Sequence, residues 1–221
     1  ALAELTTRPL VHGHSSHDKR RHEEGLVGGF LTDDTQGANL YIDWILLAAK
    51  TTTQSHLDPL LRENFQPING NHRDVSVRFV RSKLKGLGEF RRKGDCNVTR
   101  SLESNTREIV CQLSTELRFN GVMNVTYQGV TKPEVAATAL FYGVNGPVTM
   151  LLKGWKTLSV KFSPRYDGAQ ISLGESKDCG KNAAVCHEFY TQLIHLFEYA
   201  TQKVFVKAIL NGARRVPSHN Q

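Results

Sequence analysis

The stretch from Asp74 to Leu173 constrains the fold of this 221-residue chain more than any other feature. It consists of short runs in which apolar and polar residues alternate, and Val75, Val77 and Phe79 begin the first run. Such alternation is typical of strands with one buried face. Parallel strands need a helix-length crossover, and no such segment separates the runs. The stretch therefore predicts an antiparallel sheet and excludes the doubly wound nucleotide-binding folds.

Turn signals divide this stretch into strands. Asn120-Gly121 and Asn145-Gly146-Pro147 predict turns, and Asp167-Gly168 predicts a hairpin because alternating runs lie on both sides of it. Further alternating runs mark the strands: Ile109 to Leu117, Val122 to Tyr127, Val135 to Tyr142 and Leu158 to Phe162. These signals predict a long antiparallel meander.

Helical patterns flank the meander. A helix is predicted from Asn39 to about Asn64, with or without an interruption near Pro59, and its apolar block is far too short to span a bilayer. After the meander, apolar residues recur three and four apart from Val185 to about Gly212, which predicts a helix of roughly 30 residues and about 45 Å. The fold class is therefore predicted to be α+β, in the order helix, long antiparallel meander, helix.

The predicted organisation is an arm of residues 1–37, a single domain of residues 38–214 and a tail of residues 215–221. The arm is polar, rich in Gly and His, and without periodicity, so we expect it to be mobile. Its histidines do not form a preorganised ligand set, so we expect no metal site: they are His12, His14, His17 and His22. The chain begins at Ala1 without an apolar leader, and we expect that a signal peptide has been removed.

The cysteines favour disulfides over a zinc site, because no CxxC pair and no histidine at zinc spacing accompanies them. Cys96 and Cys111 lie on two predicted strands joined near residues 103–106, so we expect them to face one another. Cys179 and Cys186 would then close a small ring. Such bonds persist in oxidising compartments, which predicts a secreted protein. The alternative is a cytosolic protein with four buried free thiols.

Two sequence motifs also favour secretion. Asn97-Val98-Thr99 and Asn124-Val125-Thr126 are N-glycosylation sequons, and both Asn97 and Asn124 are expected to face solvent.

The excess of positive charge, +7 over the whole chain, is concentrated in the stretch from Arg73 to Lys93. We expect its Lys and Arg side chains to form a basic face: Arg78, Arg81, Lys83, Lys85, Arg91, Arg92 and Lys93. Such a face would attract anionic lipid head groups or sulfated polysaccharide without specific recognition of nucleic acid. The alternative is a solvated sheet surface whose charges protect an edge strand.

The sequence begins two enzyme motifs but completes neither of them. His187-Glu188 begins like a metalloprotease HExxH motif, but Thr191 replaces the second histidine. Gly86-Leu87-Gly88 begins like a dinucleotide fingerprint, but Arg91 replaces the third glycine. His195 lies among aromatic residues and is expected to be structural. The sequence therefore predicts neither an enzyme nor a cofactor.

One stretch resembles a known family. Residues 84–98 are similar to a strand pair of the mite group 7 allergen family, and their sequence is Leu-Lys-Gly-Leu-Gly-Glu-Phe-Arg-Arg-Lys-Gly-Asp-Cys-Asn-Val. Leu57-Asp58-Pro59 is similar to the end of that family's first helix. The resemblance extends in order over about Asn39 to Asn211, and it implies a secreted arachnid protein.

The mite group 7 allergens resemble one half of the bactericidal/permeability-increasing and juvenile-hormone-binding proteins, the tubular lipid-binding superfamily. The resemblance implies a strongly curved antiparallel sheet wrapped around a long C-terminal helix, with an N-terminal helix beside it. An apolar slot between sheet and helices would hold a lipid-like ligand. The cysteines and the ligand specificity of that family cannot be carried over.

The residues themselves also favour a slot, because both helices carry more large apolar residues than one face requires. We expect these residues to line it: Trp44, Leu47, Phe79, Phe141, Trp155, Phe162, Phe189, Phe197 and Phe205. For each of them the alternative is ordinary core packing. The function predicted is binding of a lipid or other apolar ligand outside the cell. The alternative is a secreted module that binds a protein partner, or a polyanion or anionic membrane through the basic face.

Overall fold

The computed structural model describes residues 35–63, 65, 74–154, 156–174 and 183–215, with residues 52–57 described in their backbone alone. Helix α1 spans Thr35–Leu57, and the strands follow it. They are β1 Leu60–Glu63, β2 Val75–Lys85, β3 Arg91–Arg92, β4 Asn97–Ser101, β5 Thr106–Tyr127, β6 Val130–Lys153, β7 Lys156–Phe162 and β8 Gly168–Leu173. A 3₁₀ turn, Leu87–Glu89, separates β2 from β3. The C-terminal helical segment comprises α2 Ala183–Tyr199, a π-helical turn Ala200–Phe205 and α3 Val206–Ala213.

Within the described residues the strands form one antiparallel sheet in the order β1-β2-β5-β6-β7. Strands β3 and β4 pair with β5, and β8 pairs with β6. The two central strands, β5 and β6, have 22 and 24 residues. At about 3.4 Å per residue, each is about 75 Å long. The predicted fold class is confirmed: a large antiparallel sheet with an N-terminal and a C-terminal helix.

The alternation read from the sequence gives the sheet two different faces. Along β5, Ile109, Cys111, Leu113, Leu117 and Phe119 are all buried, and residues between them face the other way. The buried face packs against the helices and contributes to one apolar core. We call it the inner face, and the opposite one the outer face.

Two predicted turns lie instead inside long strands. Asn120-Gly121 belongs to β5, and Asn145-Gly146-Pro147 belongs to β6. At Gly146 an added Cβ would lie 2.3 Å from the carbonyl oxygen of Ser163. This glycine therefore permits close approach of a neighbouring chain segment, which is the other common reason for a glycine within a strand.

The predicted hairpin at Asp167-Gly168 is also wrong. Strands β7 and β8 do not pair with one another, because each pairs with a different part of β6. The link between them is held by Asn145, whose N–H donates to the carbonyl oxygen of Arg165 at 2.8 Å. The tight turn that joins β5 to β6 lies at Gln128-Gly129, where both residues have positive φ.

The helix bounds differ in part from those predicted. Helix α1 begins at Thr35, so residues 35–37 belong to the helix and not to the arm. It ends at Leu57 because Pro59 cannot continue the hydrogen-bond ladder and restricts the residue before it. The chain then forms β1. The long C-terminal helix is confirmed, with the π-helical turn as an addition.

The Cys96–Cys111 disulfide is confirmed. Asn97 pairs with Val110 across β4 and β5, so the preceding and following cysteines meet on the inner face, each 1% exposed. Cys186 is also disulfide-bonded. Its predicted partner Cys179 lies outside the described residues, as do the four histidines of the arm and the tail from residue 216 onwards.

The two segments that carry the family resemblance contact each other. Gly86 has φ +102°, a conformation that favours glycine, and its N–H donates to Oδ1 of Asp58 at 3.0 Å. An added Cβ on Gly86 would lie 2.0 Å from the carbonyl oxygen of Glu116. The Asp-Pro and Lys-Gly-Leu-Gly motifs therefore form one structural unit that joins the end of α1 to the end of β2.

We expect Asp58→Ala to lower the free energy of unfolding by about 2 kcal/mol, because the partly buried N–H of Gly86 loses a carboxylate acceptor. Urea unfolding followed by circular dichroism measures this. Asp58→Asn keeps an acceptor oxygen and is expected to lose less. Equal loss in both variants would show that the carboxylate charge, and not the hydrogen bond, stabilises the junction.

Candidate ligand-binding interior

Aromatic rings fill much of the space between the sheet and the C-terminal helical segment. Phe79 on β2 and Phe189 on α2 have ring centroids 5.8 Å apart. Phe162 on β7 and Phe205 in the π-helical turn are 5.3 Å apart. The remaining contacts join Phe119 to the first pair, Phe90 to the second, and Phe141, Tyr166 and Phe197 to one another. The helical segment is thus fixed to the inner face along its length.

The structure brings together most of the residues predicted to line the slot. The following are buried in these ring contacts, each at most 2% exposed: Phe79, Phe141, Phe162, Phe189, Phe197 and Phe205. Trp44 is half-buried against the same core. Trp155 lies outside the described residues. These rings form the walls of the interior. Because they pack against one another, their contact with a ligand is a proposal.

Leu47, also predicted to line the slot, lies outside the interior. It is 60% exposed on α1. There it lines an open groove of about 350 Å³ with Lys50 and residues 88–92. This groove lies outside the sheet-helix interior, so Leu47 does not belong to the interior set. The helical periodicity placed Leu47 among apolar neighbours but did not show which side of α1 the sheet covers.

The inner face is incompletely covered near the edge strand β8. Helix α2 packs chiefly against β2, on the other side of the two central strands. Several apolar residues of the inner face there are only half-buried: Val135 on β6, and Ala169 and Ile171 on β8. We call these three residues the β8 rim. Apolar surface that the protein itself leaves uncovered is the feature expected at the entrance of an apolar site.

Polar side chains interrupt the apolar surface of α2. Glu188 and Gln192 are 2% and 1% exposed, and Nε2 of Gln192 donates to Oε1 of Glu188 at 2.9 Å. Farther along, the Arg62 guanidinium lies 4.8 Å from the ring centroid of Tyr199 and donates to its hydroxyl. The ring of His195 packs against that of Phe65 in a tilted arrangement, with centroids 5.2 Å apart. Sequence reasoning noticed Glu188 only as part of a failed metalloprotease motif. A polar pair four residues apart within an apolar helical stripe was the signal that could have found it.

Tyr190 has an unusual environment beside the β8 rim. Its hydroxyl donates to that of Tyr166 at 2.9 Å. Burial, together with this hydrogen bond, raises the pKa of Tyr190 to about 12 from an ordinary value of 10.0. The folded protein therefore holds this proton more tightly than the unfolded chain does.

We expect this tyrosine to lower stability at high pH. The stabilisation is complete below pH 10.0 and is lost as the pH rises to about 12, since only the unfolded chain ionises Tyr190 in that interval. Phenolate absorbance titration of the native protein and of Tyr190→Phe measures the group directly. The variant should lack one hydroxyl that titrates near pH 12, so its curve should match that of the wild type near pH 10.0 and fall short of it only near pH 12. A variant curve that already falls short near pH 10.0 would contradict the assignment.

The predicted basic residues do not all share one face. Arg78, Arg81 and Lys85 are exposed on the outer face of β2, and Lys83 is half-buried beside them. Arg91 and Lys93 pair with outer-face residues of β5.

Arg92 corrects the prediction, because it lies opposite Leu113 on the inner side and forms an ion pair with Asp43 of α1 at 2.8 Å. Hydrogen bonding to the Asp43 carboxylate raises the pKa of Arg92. Arg92 therefore joins α1 to the sheet and does not belong to the basic face.

Asn97 of the first sequon is exposed. Asn124 of the second is half-buried, and its Oδ1 accepts a hydrogen bond from the N–H of Glu134 at 3.2 Å. Within the described residues, no helix combines the length and apolarity needed to cross a bilayer. The same residues contain no group of three or more side chains suited to hold a metal ion.

No protein-family model matches the sequence, and no curated protein matches it. Among solved structures, the crystal structure of Takeout 1 from Epiphyas postvittana is similar with a TM-score of 0.50 and 12% identity, over 84% of this chain and 94% of that one. The crystal structure of lipopolysaccharide binding protein aligns with a TM-score of 0.32 and 13% identity, over 80% of this chain and 39% of that one. At such identity a likeness establishes the fold alone, and the chain has the fold of Takeout 1.

Proposed function

We propose that this protein is a secreted carrier that binds a lipid or another apolar molecule between the sheet and the helices and catalyses no reaction. The observation that carries the proposal is the apolar interior, which is incompletely covered at the β8 rim. The fold shared with Takeout 1 supports it. The rings of Phe79, Phe141, Phe162, Phe189, Phe197 and Phe205, with that of Trp44, would form the walls around the ligand.

Burial of apolar surface supplies enough free energy for such binding. At about 25 cal/mol per Å², a ligand that buries about 400 Å² gains about 10 kcal/mol before the cost of association. At about 0.8 kcal/mol per buried methylene group, this gain corresponds to a chain of about 12 methylene groups. The proposed slot would have to accommodate a chain of that length between the sheet and the helices.

Secretion is supported by the cysteines. A buried cross-strand disulfide and a second disulfide at Cys186 persist only where thiols are oxidised. A glycan on the exposed Asn97 would agree with this compartment. The Asp58–Gly86 junction supports kinship with the mite group 7 allergens, and through them with the tubular lipid-binding superfamily, because it joins the two motifs that resemble that family. An arachnid source remains part of the same proposal.

The test is binding of an environment-sensitive fluorescent fatty alcohol to the wild type and to two tryptophan variants. Ile171→Trp adds a large ring at the β8 rim and is expected to weaken binding roughly tenfold or more by occupying ligand space. Leu102→Trp adds the same ring at a position that is 90% exposed in the turn between β4 and β5. It should bind like the wild type. Absence of probe binding to the wild type, or equal affinity in the two variants, would contradict the proposal.

A second candidate function is binding of polyanions or anionic membranes through the outer face. Arg78, Arg81 and Lys85 project from one side of β2, and Arg118 of β5 lies opposite Lys85. An open groove of about 460 Å³ beside them is lined by Leu61, Val122 and the neighbouring residues of β1, β2 and β5. Cationic side chains next to exposed apolar surface suit the head group and first methylenes of an anionic lipid.

Heparin chromatography tests this candidate. Arg81→Glu with Lys85→Glu should elute at lower salt than the wild type, because two outer-face charges are reversed. Lys203→Glu with Lys207→Glu makes the same change in net charge on the helical side and serves as control. Equal elution of the two double variants would assign retention to net charge and remove the outer face as a specific site.

A further inference from the structure

A buried acidic side chain lies in an otherwise apolar part of the interior. Glu188 on α2 is 2% exposed. Its neighbour Phe189 packs against Phe79 and Phe119, with ring centroids 5.8 and 6.0 Å away. Burying a polar group costs free energy unless its hydrogen bonds are satisfied. A glutamate here therefore needs a partner that compensates its burial.

The protein satisfies only one of the two carboxyl oxygens. Oε1 accepts the hydrogen bond from Gln192, one helical turn later and itself 1% exposed. Among the described residues no donor reaches Oε2, although that oxygen is inaccessible to solvent. The Gln192 bond also fixes the orientation of the carboxyl group, because both side chains project from the same side of α2. The result is a hydrogen-bond acceptor that is held in place and unused.

The unused acceptor lies in the interior between the sheet and the helices. Phe189 and Leu193, which directly follow Glu188 and Gln192, belong to the buried core. The polar pair therefore lies on the part of α2 that faces the proposed ligand space. Orphaned buried polar atoms are rare in folded proteins, and a ligand group is one of the partners that satisfy them.

We propose that Oε2 of Glu188 accepts a hydrogen bond from the polar end of the bound ligand. The ligand class is then an apolar chain or ring that carries a hydrogen-bond donor, namely a hydroxyl or an amine. Ethers and esters of the same length only accept hydrogen bonds, so they would leave the oxygen unpaired. This inference rests on the proposed function, because it requires an apolar ligand between sheet and helices.

The test compares two competitors that differ in the donor alone, dodecan-1-ol and dodecyl methyl ether. Each displaces the fluorescent fatty alcohol from the wild type, from Glu188→Met and from Glu198→Met. Glu198 is exposed on the same helix and supplies the matched control. In the wild type and the control we expect the alcohol to compete at a roughly tenfold lower concentration than the ether. In Glu188→Met the two should compete within about twofold of one another.

The outcomes separate this inference from the proposed function. Equal competition by alcohol and ether in the wild type would overturn the inference while leaving an apolar site intact. Glu188→Met that still prefers the alcohol would also overturn the inference. The comparison of alcohol and ether in the wild type tests the inference even if that variant does not fold. Failure of the probe to bind the wild type at all would overturn the proposed function and the inference together.

Discussion

Phe189→Ala is expected to lower the free energy of unfolding by about 3 to 5 kcal/mol, among the largest effects of any single substitution in this chain. Its ring is fully buried between the rings of Phe79 and Phe119. Truncation removes the transfer free energy of the ring and leaves a cavity, because two strands and a long helix fix the surrounding walls. Urea unfolding followed by circular dichroism gives the value.

Leu47→Ala is the matched control, since it truncates another apolar side chain predicted to line the slot. Leu47 is 60% exposed, so its truncation should change the free energy of unfolding by no more than about 0.5 kcal/mol. Similar losses in both variants would mean that α1 buries the face that carries Leu47, contrary to the structure. A small loss at Phe189 would mean that its ring borders free space and not a packed core.

Removal of the Cys96–Cys111 disulfide is the second large effect. Cys96→Ala with Cys111→Ala should lower the free energy of unfolding by about 3 kcal/mol, because the unfolded chain regains the freedom of a loop that the bond had closed. The separation of the two cysteines is 15 residues. Both sulfurs lie on the buried inner face, so lost packing adds to the effect.

The single variant Cys96→Ala provides the comparison for this prediction. It breaks the same bond but leaves Cys111 as a free thiol, so nearly all of the loss should already be present. A double variant as stable as the wild type would show that the cross-link contributes no net stability, and that β4 pairs with β5 equally well without it. Unfolding of the wild type with and without a reductant would locate any remaining effect at the second disulfide.

The sequence predicted the fold because its two periods are clear. Alternation along β5 places every second residue on the inner face, and the spacing from Val185 onward gives the long C-terminal helix. The disulfide followed from the same alternation. Glycine residues led to the wrongly predicted turns, since Asn-Gly pairs are typical of turns. At Gly146 the glycine instead makes room for the backbone of Ser163, a contact between segments that local sequence cannot reveal.

The candidate site was predicted less completely than the fold. Hydrophobicity identified Phe79, Phe189 and the other rings as interior residues, but core residues and ligand-lining residues have the same composition. A buried ring can line a ligand site only where the helices leave the inner face of the sheet uncovered. That depends on where α2 lies relative to β8. Glu188 was missed for a different reason. A polar residue on a helix is expected to face solvent, and the place of Glu188 and Gln192 within the apolar stripe of α2 was the one sign in the sequence that they are buried.

The most direct test of the central claim, an interior that holds an apolar ligand, is native mass spectrometry of the protein secreted from a eukaryotic host, followed by denaturing extraction of lipids. We expect a species heavier than the glycosylated polypeptide by the mass of one apolar molecule, which extraction then releases and identifies. A mass equal to the polypeptide plus its glycans, together with no binding of the fluorescent fatty alcohol, would contradict an apolar ligand site. The interior would then be a filled core.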